Sequence, residues 1–153
     1  MIGGQEESSM MKIPTAPTLT ALPYVLPACA NARIALFAIR RMGGHGLADA
    51  RAAHAVFTTF GEGFRRPLTL LRALMADLAG AAALPIAIAP CCCARMTVAE
   101  SVLVDILSRA AHEPDRALVL LSDLLGVRRA DGVLASATAL SAAFADEGRP
   151  ICG

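Results

Sequence analysis

Apolar residues recur at helical spacing through most of the chain beyond residue 28. The run ACANARIALFAIRRM from Ala28 is apolar on nearly every side, as in a central, heavily buried helix, and Gly43-Gly44 is expected to end it. A second helix is expected at about 46–60, with Leu47, Ala50, His54 and Phe57 on its apolar face and Gly61 and Gly63 stopping it. The third, about 64–79, has the cleanest stripe: Phe64, Leu68, Leu71, Met75 and Leu78 step by four and three, and Gly80 closes it. LPIAIAP then reads as an extended connector, since its two prolines break a helix and a lone strand would have no partner. Thr97 and Glu100 have the T-x-x-E spacing of a capping box and open a fourth helix to about Ala111. Pro114-Asp115 opens a fifth, ending at Gly126, and Asp131 a sixth with Val133, Ala137, Leu140 and Phe144 on one face.

These elements predict an all-α fold, a single compact irregular bundle of about six short helices with a proline-rich N-terminal extension. Residues 1–27 read as a polar and then proline-punctuated tail, 28–148 as one helical domain and 149–153 as a short C-terminal tail. Leu19, Leu22, Tyr24, Val25 and Leu26 are expected to lie against the body.

Composition narrows the picture. Of 153 residues, 56% are hydrophobic and 18% charged, which argues against a disordered chain. Thirty-two alanines against one Tyr and no Trp favour close helix packing over a sheet. A net charge of +1 gives no reason to expect nucleic acid as a partner. Mean hydropathy is +0.55, but both long uncharged stretches, Ile13 to Ala32 and Leu78 to Ala94, are interrupted by prolines, so no transmembrane segment is expected. The start, MIGGQEESSMMK, lacks the basic and apolar regions of a secretory signal, which suggests a cytoplasmic protein. Five cysteines, three of them consecutive, make a poor disulfide framework and are expected to be reduced. From Lys12 to Ala76 there are eight basic residues and two acidic; from Asp77 onward there are six basic and nine acidic. The two halves are therefore expected to pack with opposed charges, or else to leave a basic concavity for an anionic ligand.

Three strings carry candidate chemistry. In APCCCARMT (89–97), three thiols precede a helix N-terminus, whose partial positive charge favours a thiolate, and Arg95 adds a cation. On an extended segment Cys91 and Cys93 share a side, so a zinc or iron ion could take both, with His45 as the third ligand and His54, His112 or Cys29 as alternatives. Cysteines that merely pack beneath a helix start are the simpler alternative. In GEGFRRP (61–67), Arg65 and Arg66 stand at the positive end of the third helix, which opposes the macrodipole by up to about 1 kcal/mol per exposed charge. A carboxylate such as Glu62, an acidic residue of the other half, or a bound anion should compensate, so Arg65, Arg66 and Arg95 are the candidate anion-binding residues. In GGHGLAD (43–49), Asp49 could orient His45 as a general base, whereas His54 reads as a core histidine.

The strings ALFAIRRM (35–42), HG-L-x-DA (45–50), GFRRPLTLLRALMA (63–76) and APCCCARMT (89–97) resemble a small bacterial family of uncharacterised all-helical proteins, a domain of unknown function with a CCC-x-RMT motif. The resemblance spans about residues 20–150. The family pattern has proline between the third Cys and the Arg; Ala94 stands there in this chain and would loosen the turn slightly. The resemblance implies no activity. The first functional expectation is a small helical binding module holding a metal ion or small anion near the Cys triplet and the helix-start arginines. Two alternatives stand beside it. One is a homo-oligomer built on small-residue faces such as SATALSAAFA (136–145); the other is a thiol enzyme using an activated cysteine.

Overall fold

The structure is a computed structural model that describes residues 11–12 and 22–153. The chain runs β1 (Met11–Lys12), β2 (Tyr24–Val25), α1 (Ala30–His45), α2 (Ala50–Phe60), a 3-10 turn (Gly61–Phe64), α3 (Arg65–Ala81), β3 (Ile86–Ala87), β4 (Arg95–Met96), α4 (Val98–Arg109), α5 (Pro114–Leu125) and α6 (Asp131–Asp146). It is all-α, and all six expected helices are present. Pro14, Pro17 and Leu19 of the proline-rich segment lie outside the described residues.

α1 is central because small residues line it. Ala32, Ala35 and Ala38 are fully buried beside Leu36, Ile39 and Met42, which lets α2, α3 and α4 all approach its backbone. The helix continues through Gly43 and Gly44 and stops at Gly46, whose φ of +99° is what a side-chain-bearing residue would resist. In α2 the buried positions are Ala52 and Val56, while Leu47, His54 and Phe57 face outward. The expected face is therefore reversed: the narrow residues fit against α1, and Phe57 stacks edge-on against Phe64 with ring centroids 5.1 Å apart. α3 buries the stripe read from its spacing, Leu68, Leu71, Met75 and Leu78, with Leu74 added. Its most extensive partner is α6, where Ala137, Leu140, Ala143 and Phe144 are buried. The small-residue face of SATALSAAFA is thus consumed inside the chain.

The connector between α3 and α4 differs from expectation. Ile86–Ala87 pairs in parallel with Met11–Lys12, and Arg95–Met96 pairs antiparallel with Tyr24–Val25. Partners for these short strands come from the N-terminal extension, which is expected to lie against the body but not to pair with it. Leu22 is buried and Leu26 half-buried against the body, whereas Tyr24 and Val25 are exposed. At the other end Ile151 is buried, and Cys152 forms a disulfide with Cys29, the N-cap residue of α1, with Cα atoms 5.8 Å apart. This overturns the expectation that all five cysteines are reduced: 123 positions separate the two in sequence, and only the returning C-terminal strand of chain brings them together. Among the described residues, no helix is long and apolar enough to cross a membrane.

Candidate functional site

The three-cysteine segment is a turn rather than an extended run. The Cys93 N–H donates to the Pro90 carbonyl at 3.1 Å, which reverses the chain over Cys91-Cys92. Its shape is fixed from below by Glu100. Thr97 caps α4 and Glu100 completes the capping box, as the T-x-x-E spacing predicts. The same carboxylate does more than cap. Oε2 accepts from the Thr97 N–H and Oε1 from the Ala89 N–H, both at 2.9 Å, so one side chain ties together the two ends of the loop 89–97. The Thr97 hydroxyl adds a bond to the Ala87 carbonyl at 2.7 Å.

Arg40 clamps the loop from the other side. Its Nε donates to Glu100 Oε1 at 2.8 Å and its Nη2 to Oε2 at 2.9 Å, a bidentate pair with the two side chains 3% and 0% exposed. The remaining donors reach the carbonyls of Cys93 (2.8 Å) and Arg95 (2.7 Å). An ion pair buried this completely survives because every polar atom is satisfied: among the described residues no buried side-chain nitrogen or oxygen lacks a partner.

Arg41, the next residue on α1, is bidentate to Asp49 at 3.0 and 2.7 Å. Asp49 caps α2 through the Ala52 N–H, and the Arg41 guanidinium holds its carboxyl well below the usual carboxylate range. Those bonds answer the expectation of a His45–Asp49 dyad. Asp49 is committed to Arg41 and the helix cap, and His45 is an exposed last residue of α1.

Cys91 and Cys93 line one cavity of about 300 Å³, with Leu26, Ile34, Phe37 and the guanidinium-bearing Arg33 and Arg40 around them. Cys92 is exposed. Burial, assisted by neighbouring Cys92, pushes the Cys93 thiol up and outweighs the lowering influence of Arg40. The expected thiolate ahead of the helix start is therefore not favoured at this position. A larger apolar groove of about 650 Å³ runs between Leu22-Pro23, Pro85, Ala87 and the outer faces of α4 and α5, but Thr97 and Asp123 alone give it polar side chains.

The remaining expected site residues disperse. Arg66 pairs with Asp146 of α6 at 2.6 Å, and the Glu147 carboxylate lies against Gly63 in the space a Cβ would occupy. The anion expected at the start of α3 is thus supplied by the chain's own acidic half; Arg65 is exposed at the same end. Arg95 spends Nε and Nη2 on the carbonyls of Leu22 and Pro23, at 2.7 and 2.8 Å, and so fastens the N-terminal extension. Among the described residues no three His, Cys, Asp or Glu side chains converge as a metal would need, so Cys91 and Cys93 stand together without His45 as a third ligand.

A family model covers residues 15–147 of the chain. The protein belongs to DUF6628, a family of unknown function. No curated protein and no solved structure matches it. Membership in DUF6628 agrees with the expected resemblance to a family of unknown function, and it brings no activity with it.

The residues that sequence reasoning missed are Arg40 and Arg41. A signal was present: Arg40 falls one turn after Leu36 and next to Ile39 on a helix read as apolar all round, and a buried arginine demands a carboxylate. Glu100 was recognised for its cap alone.

Proposed function

We propose that this chain is a binding module for a metal ion or small anion, taken up in the cavity beside α1 that is lined by Cys91, Cys93 and Arg33. The observation that carries the proposal is the use of a fully buried ion pair, Arg40–Glu100, to hold a turn whose first and third cysteines face one cavity. A buried pair is a poor way to gain stability, because its desolvation cost cancels most of its attraction, whereas it does fix geometry. Arg33 on the cavity wall has its Nε on the Pro27 carbonyl and, among the described residues, no carboxylate partner, so its charge suits an anionic ligand or a thiolate–metal complex. A nucleophilic role for Cys93 fits less well, since burial keeps that thiol protonated. The cytoplasm expected from the sequence would keep the three free thiols of the turn reduced, whereas the Cys29–Cys152 disulfide is of a kind rare in that compartment.

The test is metal analysis of untagged protein purified without chelator, followed by thermal unfolding with Cu(I), Zn(II), Fe(II) or phosphate. A ligand present at a hundredfold its Kd adds about 2.7 kcal/mol, or roughly 5–10 °C for a chain of this size. The proposal expects such a rise with at least one probe, lost in Cys91→Ser and Cys93→Ser. Metal-free protein whose unfolding is unmoved by every probe would overturn it.

A further inference from the structure

We infer that the cavity beside α1 takes a monocarboxylate with a short apolar body, its carboxylate on Arg33 and its body laid along α1 toward the cysteine turn. The inference rests on the binding-module reading and names the class of its ligand. The cavity follows one stripe of α1: Arg33, Phe37 and Arg40 line it at steps of four and three. Seven residues of helix separate the two arginines, a run of about 10 Å. Arg33, at one end, is exposed; Arg40, at the other, is buried, and its bond to the Cys93 carbonyl marks that end as the cysteine end.

The two guanidiniums differ in what they have left to give. Arg40 spends its donors on Glu100 and on the carbonyls of Cys93 and Arg95. Arg33 has its Nε on the Pro27 carbonyl, and among the described residues neither of its Nη groups meets an acceptor. One bond thus steadies the guanidinium plane while two parallel N–H groups remain, the fork that the two oxygens of a carboxylate match. Between the two ends the wall is Leu26, Ile34 and Phe37, and no acidic side chain is among the described residues that line it. Burial raises the Cys93 thiol, so it is neutral near pH 7, and a neutral cysteine packs as a small hydrophobe. The cysteine end therefore suits hydrocarbon better than charge. An inorganic anion would occupy Arg33 and leave the apolar wall wet; an anionic head with an apolar body satisfies both. The volume of about 300 Å³ lies at the small end of ligand cavities, roughly 300–1,000 Å³, so the body is short.

The experiment is isothermal titration calorimetry of the full chain with butanoate, hexanoate and octanoate, set beside octan-1-ol and inorganic phosphate; octanoate also joins the probes of the binding module. One octanoate per chain is expected. Affinity should climb with chain length by up to about fourfold for each CH2 buried, and octan-1-ol should bind at least tenfold more weakly than octanoate. Arg33→Gln, at an exposed position, should weaken octanoate at least tenfold with an unchanged circular dichroism spectrum. Bound octanoate should slow iodoacetamide labelling of Cys91 and Cys93 at least fivefold and leave the exposed Cys92 within twofold. Octanoate binding that survives Arg33→Gln undiminished, or that protects neither Cys91 nor Cys93, would place the ligand elsewhere, as in the groove between α4 and α5, and would overturn the inference. Binding of phosphate or a metal ion without octanoate would refute it while leaving the binding module standing. Failure of these probes and of the metal ions would remove both.

Discussion

Replacing Glu100 with glutamine leaves the shape of the side chain intact and tests the clamp directly. Each carboxylate oxygen accepts two hydrogen bonds, one from Arg40 and one from a backbone N–H: Ala89 at Oε1, Thr97 at Oε2. Whichever oxygen becomes an amide NH2 then faces two donors. Two bonds to a charged acceptor are lost, at about 1.5–3 kcal/mol each, and the Arg40 charge is left buried without a counter-charge. Breaking a buried pair in this way costs about 3–5 kcal/mol. That is a large share of the roughly 5–15 kcal/mol by which a domain is folded. With a urea m-value of about 2 kcal/mol/M, the unfolding midpoint of Glu100→Gln should fall by about 1.5–2.5 M. Arg40→Met should cost a similar amount, and the double variant should cost at least about 2 kcal/mol less than the sum, because the second change removes the mismatch created by the first. A loss below about 1 kcal/mol in Glu100→Gln, or strict additivity in the double variant, would refute the clamp.

Other consequences are accessible with simple assays. Iodoacetamide near pH 7.5 should label the exposed Cys92 first and Cys93 last, with the Cys93 rate rising only at a pH above that of an ordinary thiol, because burial raises it; peptide mapping that found Cys93 fastest would contradict this. Asp49 titrates below its unfolded value, so its contribution is complete above about pH 4 and is lost as pH falls through the folded value. The stability gap between wild type and Asp49→Asn, which keeps the helix cap, should therefore narrow as pH falls from about 4 to about 2; a constant gap would show that Arg41 does not set it. Cys152→Ser opens a loop of 123 positions, which in the chain-entropy model lowers stability by about 5 kcal/mol, and reductant should reproduce the effect on wild type without altering the variant.

How much of this was legible in the sequence depends on the range of the interaction. The stripe of α3, the T-x-x-E cap of α4 and the Gly126 stop of α5 are local, and the structure contains each. Spacing alone puts Leu47, Ala50, His54 and Phe57 on one face of α2, but closeness to α1 is set by the narrower Ala52 and Val56. The arginines at the start of α3 call for negative charge, but the carboxylates that supply it, Asp146 and Glu147, lie some eighty positions away. The same holds for the site: three cysteines announce themselves, while the Arg40–Glu100 pair that positions them joins residues sixty apart. Both strands of the connector found partners that no local pattern could name, because those partners lie in the N-terminal extension.

The Cys29–Cys152 link changes what a cut means. Every peptide bond between these two residues belongs to one covalent ring, which contains all six helices and the cysteine turn. A protease that nicks the exposed bend at Ala111–Glu113 therefore produces two pieces that stay joined. The fragments would separate on a reducing gel and run as one species on a non-reducing one. Because α4 and α5 would stay tethered on either side of the nick, the Arg40–Glu100 clamp could outlast the break, and damage to the backbone would go unnoticed by the site.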